Sequence, residues 1–345
     1  MEHKPLVSII TPSFNQVKYL GAACHSVFTQ NYSNIEYFIV DGGSTDGSVE
    51  LIRSWSESKK NRIKWWVSEK DNGQTEAINK GFSRASGEII AWLNSDDLYM
   101  KGAVDKAVAI FNANPDVGLI FSDVFSINAE KNLINVMRYG SWNLCDLMEF
   151  NIIGQPGVFM RKQALEEAGY LDPEYDYLLD HQLWLRIASI SKILHVNDFF
   201  AAARFHREAK NIKQTEGFSR EAFKIVKWMK YDPKLSNIFN RHRRKIMAGA
   251  YRFSARYLMD GGDNAQAFSH YLKGFWNYPP AIMKDLPRAA YSLFNFLPAV
   301  KRKKEEYFQK RLNRLAQENM DKIYYDLSDH NDGQLKIRQS THESN

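Results

Sequence analysis

The sequence predicts an α/β fold, a mostly parallel central sheet flanked by helices, followed by an all-helical C-terminal extension. Three observations predict it. Short apolar runs alternate with amphipathic stretches through the first half of the chain. Polar or glycine-rich turns follow those runs at their carboxyl ends, and strand-like runs stop beyond about Glu216.

Taken in order, Leu6-Val7-Ser8-Ile9-Ile10 reads as a buried strand and Val17 to Gln30 as a helix. A strand at Ile35 to Val40, a helix from about Gly47 to Trp55 and a strand at Ile63 to Val67 follow. Gln74 to Ala85 is then helical and Glu88 to Leu93 is a fourth strand. Strand-like runs separated by helical ones mark βαβ units around a parallel sheet. Past Gly102 come a helix, a strand at Val117 to Phe121 and a less regular stretch through Phe159. A helix from about Leu178 to Ile190 and a strand near Ile193 to Phe199 close this part.

The remainder reads as helices to about Tyr325. Ala248 to Met259 and Ala265 to Trp276, joined by Gly261-Gly262-Asp263-Asn264, predict an αα-hairpin like a single tetratricopeptide unit. Ala250, Ala255, Ala265 and Ala267 allow close approach of its helices. The expected organisation is an α/β domain over 1–215, a helical extension over 216–325 and a polar, disordered tail over 326–345.

Composition narrows the class. A chain of 345 residues, 44% hydrophobic and 25% charged, has ordinary globular content and can build a core with a cleft. Two distant cysteines, Cys24 and Cys145, make neither a disulfide framework nor a zinc site. The start lacks an apolar signal region, and no run of about 18 apolar residues occurs, so a cytoplasmic protein is expected. The net charge of +6 is uneven, with clusters at Arg241 to Lys245 and Lys301 to Lys304. These suit solvated helix faces or attraction to an anionic surface, phospholipid or pyrophosphate-linked. No recognition module accompanies them, so nucleic acid is not an expected partner.

Ligands of an open α/β sheet bind beyond the carboxyl ends of its strands. Asp41 ends the second strand, and Asn94-Ser95-Asp96-Asp97 abruptly follows the apolar fourth strand. Carboxylates gathered there repel one another unless a cation sits among them, and Mg²⁺ or Mn²⁺ takes such oxygen ligands together with substrate phosphates. Asp41 and Asp96 each also suit a helix cap or a turn. Asp41-Gly42-Gly43-Ser44-Thr45-Asp46-Gly47 matches neither a dinucleotide fingerprint nor a phosphate loop, since Ser48 stands where the loop needs lysine.

Four segments carry a specific resemblance: Val7 to Asn15, Val40 to Asp46, Leu93 to Asp97 and Asp180-His181-Gln182-Leu183-Trp184-Leu185-Arg186. In this order and spacing they resemble the family 2 glycosyltransferases, inverting enzymes of the GT-A fold, over about residues 5–210. The resemblance implies that Thr11, Pro12 and Ser13 line a nucleoside pocket and that Asp41 belongs to a base- and ribose-binding turn. Gly42 replaces the second aspartate of many relatives. Asn94-Ser95-Asp96 aligns with the D-x-D motif, with Asn94 in place of its first aspartate and Asp96 at the main metal ligand. His206 is placed like a C-terminal histidine that contacts metal or donor phosphate. Asp180 aligns with the catalytic base, Gln155-Pro156-Gly157 with the acceptor-side loop, and Trp184 suits core packing. Asp71 to Asn79, with Gly73 and Gln74, is expected to border the donor pocket through its helix N-terminus.

The implied reaction moves a sugar from a nucleotide-sugar donor, a UDP-sugar, to a glycan or lipid-linked saccharide acceptor. Asp180 takes the acceptor's proton and Mn²⁺ or Mg²⁺ supports the leaving diphosphate. A polyprenyl-phosphate acceptor and a carbohydrate-binding protein with a decayed site remain the alternatives. Trp276, Tyr278, Ile282, Met283, Leu293, Phe294, Phe296 and Leu297 near Lys284, Arg288 and Lys301 to Lys304 suit either peripheral contact with the inner face of the cell membrane or packing on the α/β domain.

Overall fold

β1 (Val7–Ser13) is buried along its whole length. Val7 and Ile9 enter one layer of core and Ile10 the other, as the pleat of a strand covered on both faces requires. The computed structural model describes residues 3–57, 62–206 and 214–295, with positions 297, 302, 306 and 310 beyond them. β2 (Ile35–Asp41), β3 (Ile63–Ser68) and β4 (Ile89–Trp92) join β1 in parallel, as expected.

The other strands are β5 (Leu98–Tyr99), β6 (Val117–Ile127), β7 (Leu133–Met137), β8 (Val158–Arg161) and β9 (Lys192–Arg204). The sheet order is β3-β2-β1-β4-β8-β6-β9-β5, with β7 hairpinned on β6. β8 lies antiparallel between β4 and β6, β9 runs parallel to β6, and β5 is antiparallel to β9. The sheet is therefore parallel over β1 to β4 and mixed beyond β4. The irregular stretch before Phe159 conceals the cause: β6 runs on to Ile127, turns back as β7, and the chain re-enters the sheet as β8.

One face carries α1 (Val17–Phe28), α2 (Ser48–Ser56) and α4 (Ala103–Ala113), which pack on Ile9, Tyr37, Ile39 and Ala91. The other carries α3 (Gln74–Phe82), α5 (Leu144–Met148), α6 (Lys162–Ala168) and α7 (Leu179–Ala188) over Ile10, Phe38, Val40 and Trp92. Gly81 lets α3 approach β1 closely, since a Cβ there would stand 2.5 Å from Ile10. Trp184 is fully buried and stacks on Trp92 at 5.2 Å, the expected core role.

The extension comprises α8 (Thr215–Tyr231), α9 (Ser236–Asp260), α10 (Asn264–Asn277), α11 (Pro279–Met283) and α12 (Leu286–Phe294). Phe218, Ala222, Ile225, Met229, Phe239, Ile246, Ala250 and Phe253 share one core with α3, α6 and α7. Its first two helices thus pack on the α/β part. α9 begins well before Ala248 because Phe239 and Ile246 carry its buried stripe back toward Ser236. Gly249 crosses the Glu149 backbone, where a Cβ would lie 2.0 Å from the carbonyl oxygen. Ala250, Ala255 and Ala267 are buried, whereas Ala265 is exposed. The hairpin turn is built by Asp263, whose carboxylate caps α10 at Gln266 N–H, 3.0 Å. The expected tail over 326–345 and, apart from positions 297, 302, 306 and 310, the helical pattern after 295, including Phe296 and most of the Lys301 to Lys304 cluster, lie outside the described residues.

Candidate active site

β4 ends at Trp92, and the chain turns through Asn94 to Asp97 at the carboxyl edge of the parallel strands. Asn94 is held on three sides. Its side-chain Oδ1 accepts from Gln74 Nε2 at 2.8 Å, and its Nδ2 donates to Asp97 Oδ2 at 3.2 Å and Gln155 Oε1 at 3.1 Å. Gln155 in turn donates to the Trp92 carbonyl at 2.8 Å. Three expected site elements, the N-terminus of α3, the Asn94 turn and the 155–157 turn, therefore meet in one network. Within it Gln155 is a buried strut.

The adjacent carboxyl groups separate in role. Asp97 is 5% exposed and accepts the Arg204 backbone N–H at 2.8 Å, tying the turn to the end of β9. Burial first, and the neighbouring Asp96 second, push its carboxyl well above the usual carboxylate range. Asp96 is more open and pairs with His206 Nε2 at 3.0 Å. His206 is nearly buried, rests against the Tyr19 ring at 4.7 Å and leaves Nδ1 buried without a partner. Arg204 Nε braces the turn at the Asp96 carbonyl, 2.8 Å.

Among the described residues no group of three or more His, Cys, Asp or Glu side chains could hold a metal. The Asp96–His206 pair nevertheless fits a divalent ion that draws its other ligands from substrate. Adjacent donors around an octahedral cation with bonds near 2.1 Å lie about 3.0 Å apart, which is the separation of Asp96 Oδ2 and His206 Nε2, 3.0 Å. Their oxygen–nitrogen donor set suits Mn²⁺ better than Mg²⁺.

On the nucleotide side the expected residues fall into two groups. Thr11 is fully buried, and its hydroxyl accepts from Tyr37 at 2.8 Å in the core. Pro12 is buried in β1 beside it. Ser13, two positions on, has a buried hydroxyl without a partner. The Asp41 carboxylate accepts from Gly43 N at 3.1 Å, Ser44 N at 2.9 Å and Ser68 Oγ at 2.7 Å, so it builds its own turn. Asp71 lies against that turn, where a Cβ on Gly42 would meet its Oδ2 at 2.9 Å. Its Oδ1 accepts Gly73 N–H at 2.9 Å at the start of α3. Gly73 has φ +118°, a conformation that side chains rarely adopt. Ser95 is 6% exposed between Asn94 and Asp96.

Asp180 stands in the first turn of α7, partly buried. Burial pushes its carboxyl up to about 6, against the pull of the 2.7 Å bond from His181 N–H. Beside it, burial pushes the His181 imidazole down to about 3, so that ring is neutral. The Asp180 charge acts on Tyr139, whose hydroxyl accepts Gly154 N–H at 3.0 Å. Tyr139, on which the Asp180 charge acts, and Asn94 thus bond the same turn, at Gly154 and Gln155. Thr75 Oγ1, in α3, donates to the Tyr175 carbonyl at 3.2 Å, bringing the approach to α7 against the same helix end. Arg204, Asp97 and Glu221 are residues of this region to which sequence alone assigns no role. Only the adjacency of Asp97 to Asp96 and of Arg204 to His206 signalled any of them.

The model for glycosyl transferase family 2 matches residues 8–164. Over 230 residues the chain is 36% identical to an uncharacterized glycosyltransferase of Nostoc sp., covering 63% of this chain and 70% of that protein. Over 103 residues it is 40% identical to a Bacillus subtilis glycosyltransferase assigned by name to teichuronic acid biosynthesis, covering 30% of this chain and 40% of that protein. Among solved structures, the Pyrobaculum calidifontis mannosyltransferase PcManGT, in complex with GDP-Man and Mn²⁺, aligns with TM-score 0.58 at 17% identity. That alignment covers 93% of this chain and 88% of that one. S. aureus TarS 1–349, in complex with UDP-GlcNAc, aligns with TM-score 0.51 at 16% identity over 81% of this chain and 90% of that one. At such identities the structures show the fold alone. The fold is that of the GT-A glycosyltransferases, and the chain belongs to glycosyltransferase family 2.

Proposed function

We propose that this chain is an inverting transferase that moves a sugar from a nucleoside-diphosphate sugar to a hydroxyl of a glycan or lipid-linked acceptor in cell-surface polysaccharide synthesis. One observation carries the chemistry. Asp180, its carboxyl pushed up to about 6, acts electrostatically on Tyr139, which bonds the Gly154 turn next to the Asn94 network. A general base works best with its pKa near the working pH. Asp180 takes the acceptor O–H proton as that oxygen bonds to the anomeric carbon. The bond from that carbon to the diphosphate oxygen breaks and its electron pair leaves with the nucleoside diphosphate. Attack opposite the leaving group inverts the anomeric centre.

Asp96 and His206 would hold a divalent ion, which supplies Lewis-acid stabilisation of the leaving diphosphate. The unpartnered Ser13 hydroxyl and the turns at Asp41 and Asp71 are the proposed nucleoside side. UDP is the proposed nucleotide, on the likeness to TarS bound to UDP-GlcNAc. Polysaccharide synthesis rests on the Bacillus relative's name. Peripheral contact with an anionic membrane is part of the same proposal. No helix among the described residues is long and apolar enough to cross a membrane. Trp276 is 80% exposed and Met283 59%, close to Lys284 and the basic flank of α9.

The test is Asp180→Asn. Sugar transfer is expected to disappear while Mn²⁺-dependent binding of the donor persists. Unchanged turnover in that variant refutes the assignment.

A further inference from the structure

We infer that Glu221, on the first helix of the C-terminal extension, is the positioning residue for Asp180, capping in trans the helix that carries it. The inference rests on Asp180 being the base, and it assigns the extension a part in the reaction. α7 has no side-chain cap of its own. The Glu221 carboxylate takes the N–H of its N-cap residue, Leu178, at 2.7 Å, together with Asp176 N–H at 2.7 Å and Tyr177 N–H at 2.9 Å in the segment leading into it. Leu178 is the residue that immediately precedes α7. Helix starts leave N–H donors unsatisfied, and a carboxylate there is favoured by both hydrogen bonding and the helix dipole. Glu221 itself is 8% exposed, so water does not replace it easily.

One face of α8 is given over to this grip. Gly217 lies flat on Tyr177, where a Cβ would stand 2.3 Å from the ring. Phe218 packs on Tyr177 at 5.2 Å and stacks on Tyr257 of α9 at 4.3 Å. Lys224 donates to the Glu174 carbonyl at 2.7 Å, with its ammonium over Tyr175 at 4.5 Å. Residues 217, 218, 221 and 224 recur at helical spacing, so a single stripe of α8 holds residues 174–178. The opposite side of that segment is tied to α3 through Thr75. Asp180 is therefore set by elements from both parts of the chain.

The same carboxylate acts electrostatically. Of the groups that face Asp180, burial pushes Tyr139 and Tyr257 up and His181 down, so all three are neutral near pH 7. Glu221 is left as the charged one among the described residues, and its negative charge adds to burial in raising the Asp180 carboxyl.

Three readouts on Glu221→Gln test this. The amides of residues 176–178 are expected to exchange with solvent at least ~10-fold faster, since the carboxamide opposes an N–H donor where a carboxylate oxygen accepted one. The carboxyl titration of Asp180, followed by ¹³C labelling and assigned by its absence in Asp180→Asn, is expected to move to lower pH. With a donor that the unmodified enzyme turns over, kcat is expected to fall by roughly 10–100-fold at unchanged donor KM. Glu221→Asp keeps the charge but withdraws it by one methylene, so it is expected to lower kcat while leaving the titration in place. It also serves if Glu221→Gln does not fold. Normal exchange at 176–178 in a folded variant overturns the inference. So does fast exchange with unmoved titration and turnover, which would make Glu221 merely structural. If Asp180→Asn itself retains turnover, the base assignment falls, and the exchange measurement still decides the cap.

Discussion

Replacing Asp180 by asparagine should make the protein more stable while abolishing transfer. The carboxyl lies at about 6 in the fold against 3.8 for a free side chain. A group raised on folding contributes stability that is fully present below the unfolded value and lost as pH rises through the folded one. At about 1.4 kcal/mol per pH unit, ionised Asp180 costs the fold about 3 kcal/mol above pH 7. Asparagine keeps an oxygen to accept His181 N–H, bonded at 2.7 Å in the parent chain, and carries no charge. Its advantage should be about 3 kcal/mol at pH 7.5, roughly half that at pH 5 and near zero by pH 3. Urea unfolding of both proteins across that range measures the difference. A variant less stable than its parent at pH 7.5, or a gain independent of pH, refutes the claim that burial holds this carboxyl up. The trade of stability for an activated base is the expected mark of a functional site.

Other expectations follow from the network. Asn94→Asp restores the residue pattern of many relatives, yet here it removes two donated hydrogen bonds and sets a carboxylate beside Asp97, now 3.2 Å away. It should lower thermal stability by about 1–3 kcal/mol without tightening Mn²⁺ binding, and a tighter site on calorimetry would count against the network. Mn²⁺ together with UDP should raise the melting temperature of the parent chain, and Asp96→Asn or His206→Ala should each remove most of that rise. Unaltered Mn²⁺-dependent stabilisation in both variants would exclude the pair as ligands. Vesicles containing anionic lipid should sediment the protein, and Trp276→Glu combined with Met283→Glu should reduce that at least several-fold; equal sedimentation would remove this surface from the proposal.

Much of the fold is written locally. Buried strands such as Ile35–Asp41 are uniform apolar runs closed by polar turns, and those turns carry Asp41 and the Asn94 to Asp97 segment to one sheet edge. Asp180 is likewise marked by the helix it begins. The antiparallel insertion of β8 was not visible in this way, because a four-residue apolar run has no periodicity that tells its direction.

Residue type and spacing along the chain therefore determined the class of fold, the strand ends and the identity of the carboxyl groups at the site. Tertiary structure alone decided their states. Burial and the neighbouring Asp96 hold the Asp97 carboxyl well above the usual range against the pull of the Arg204 N–H it accepts, and Asn94 is scaffolding because Gln74 and Gln155 converge on it. Asp180 is aimed and tuned by a glutamate more than forty residues later, which accepts Leu178 N–H at 2.7 Å. Burial and charge proximity depend on which distant segments pack together, and no window of sequence contains that information.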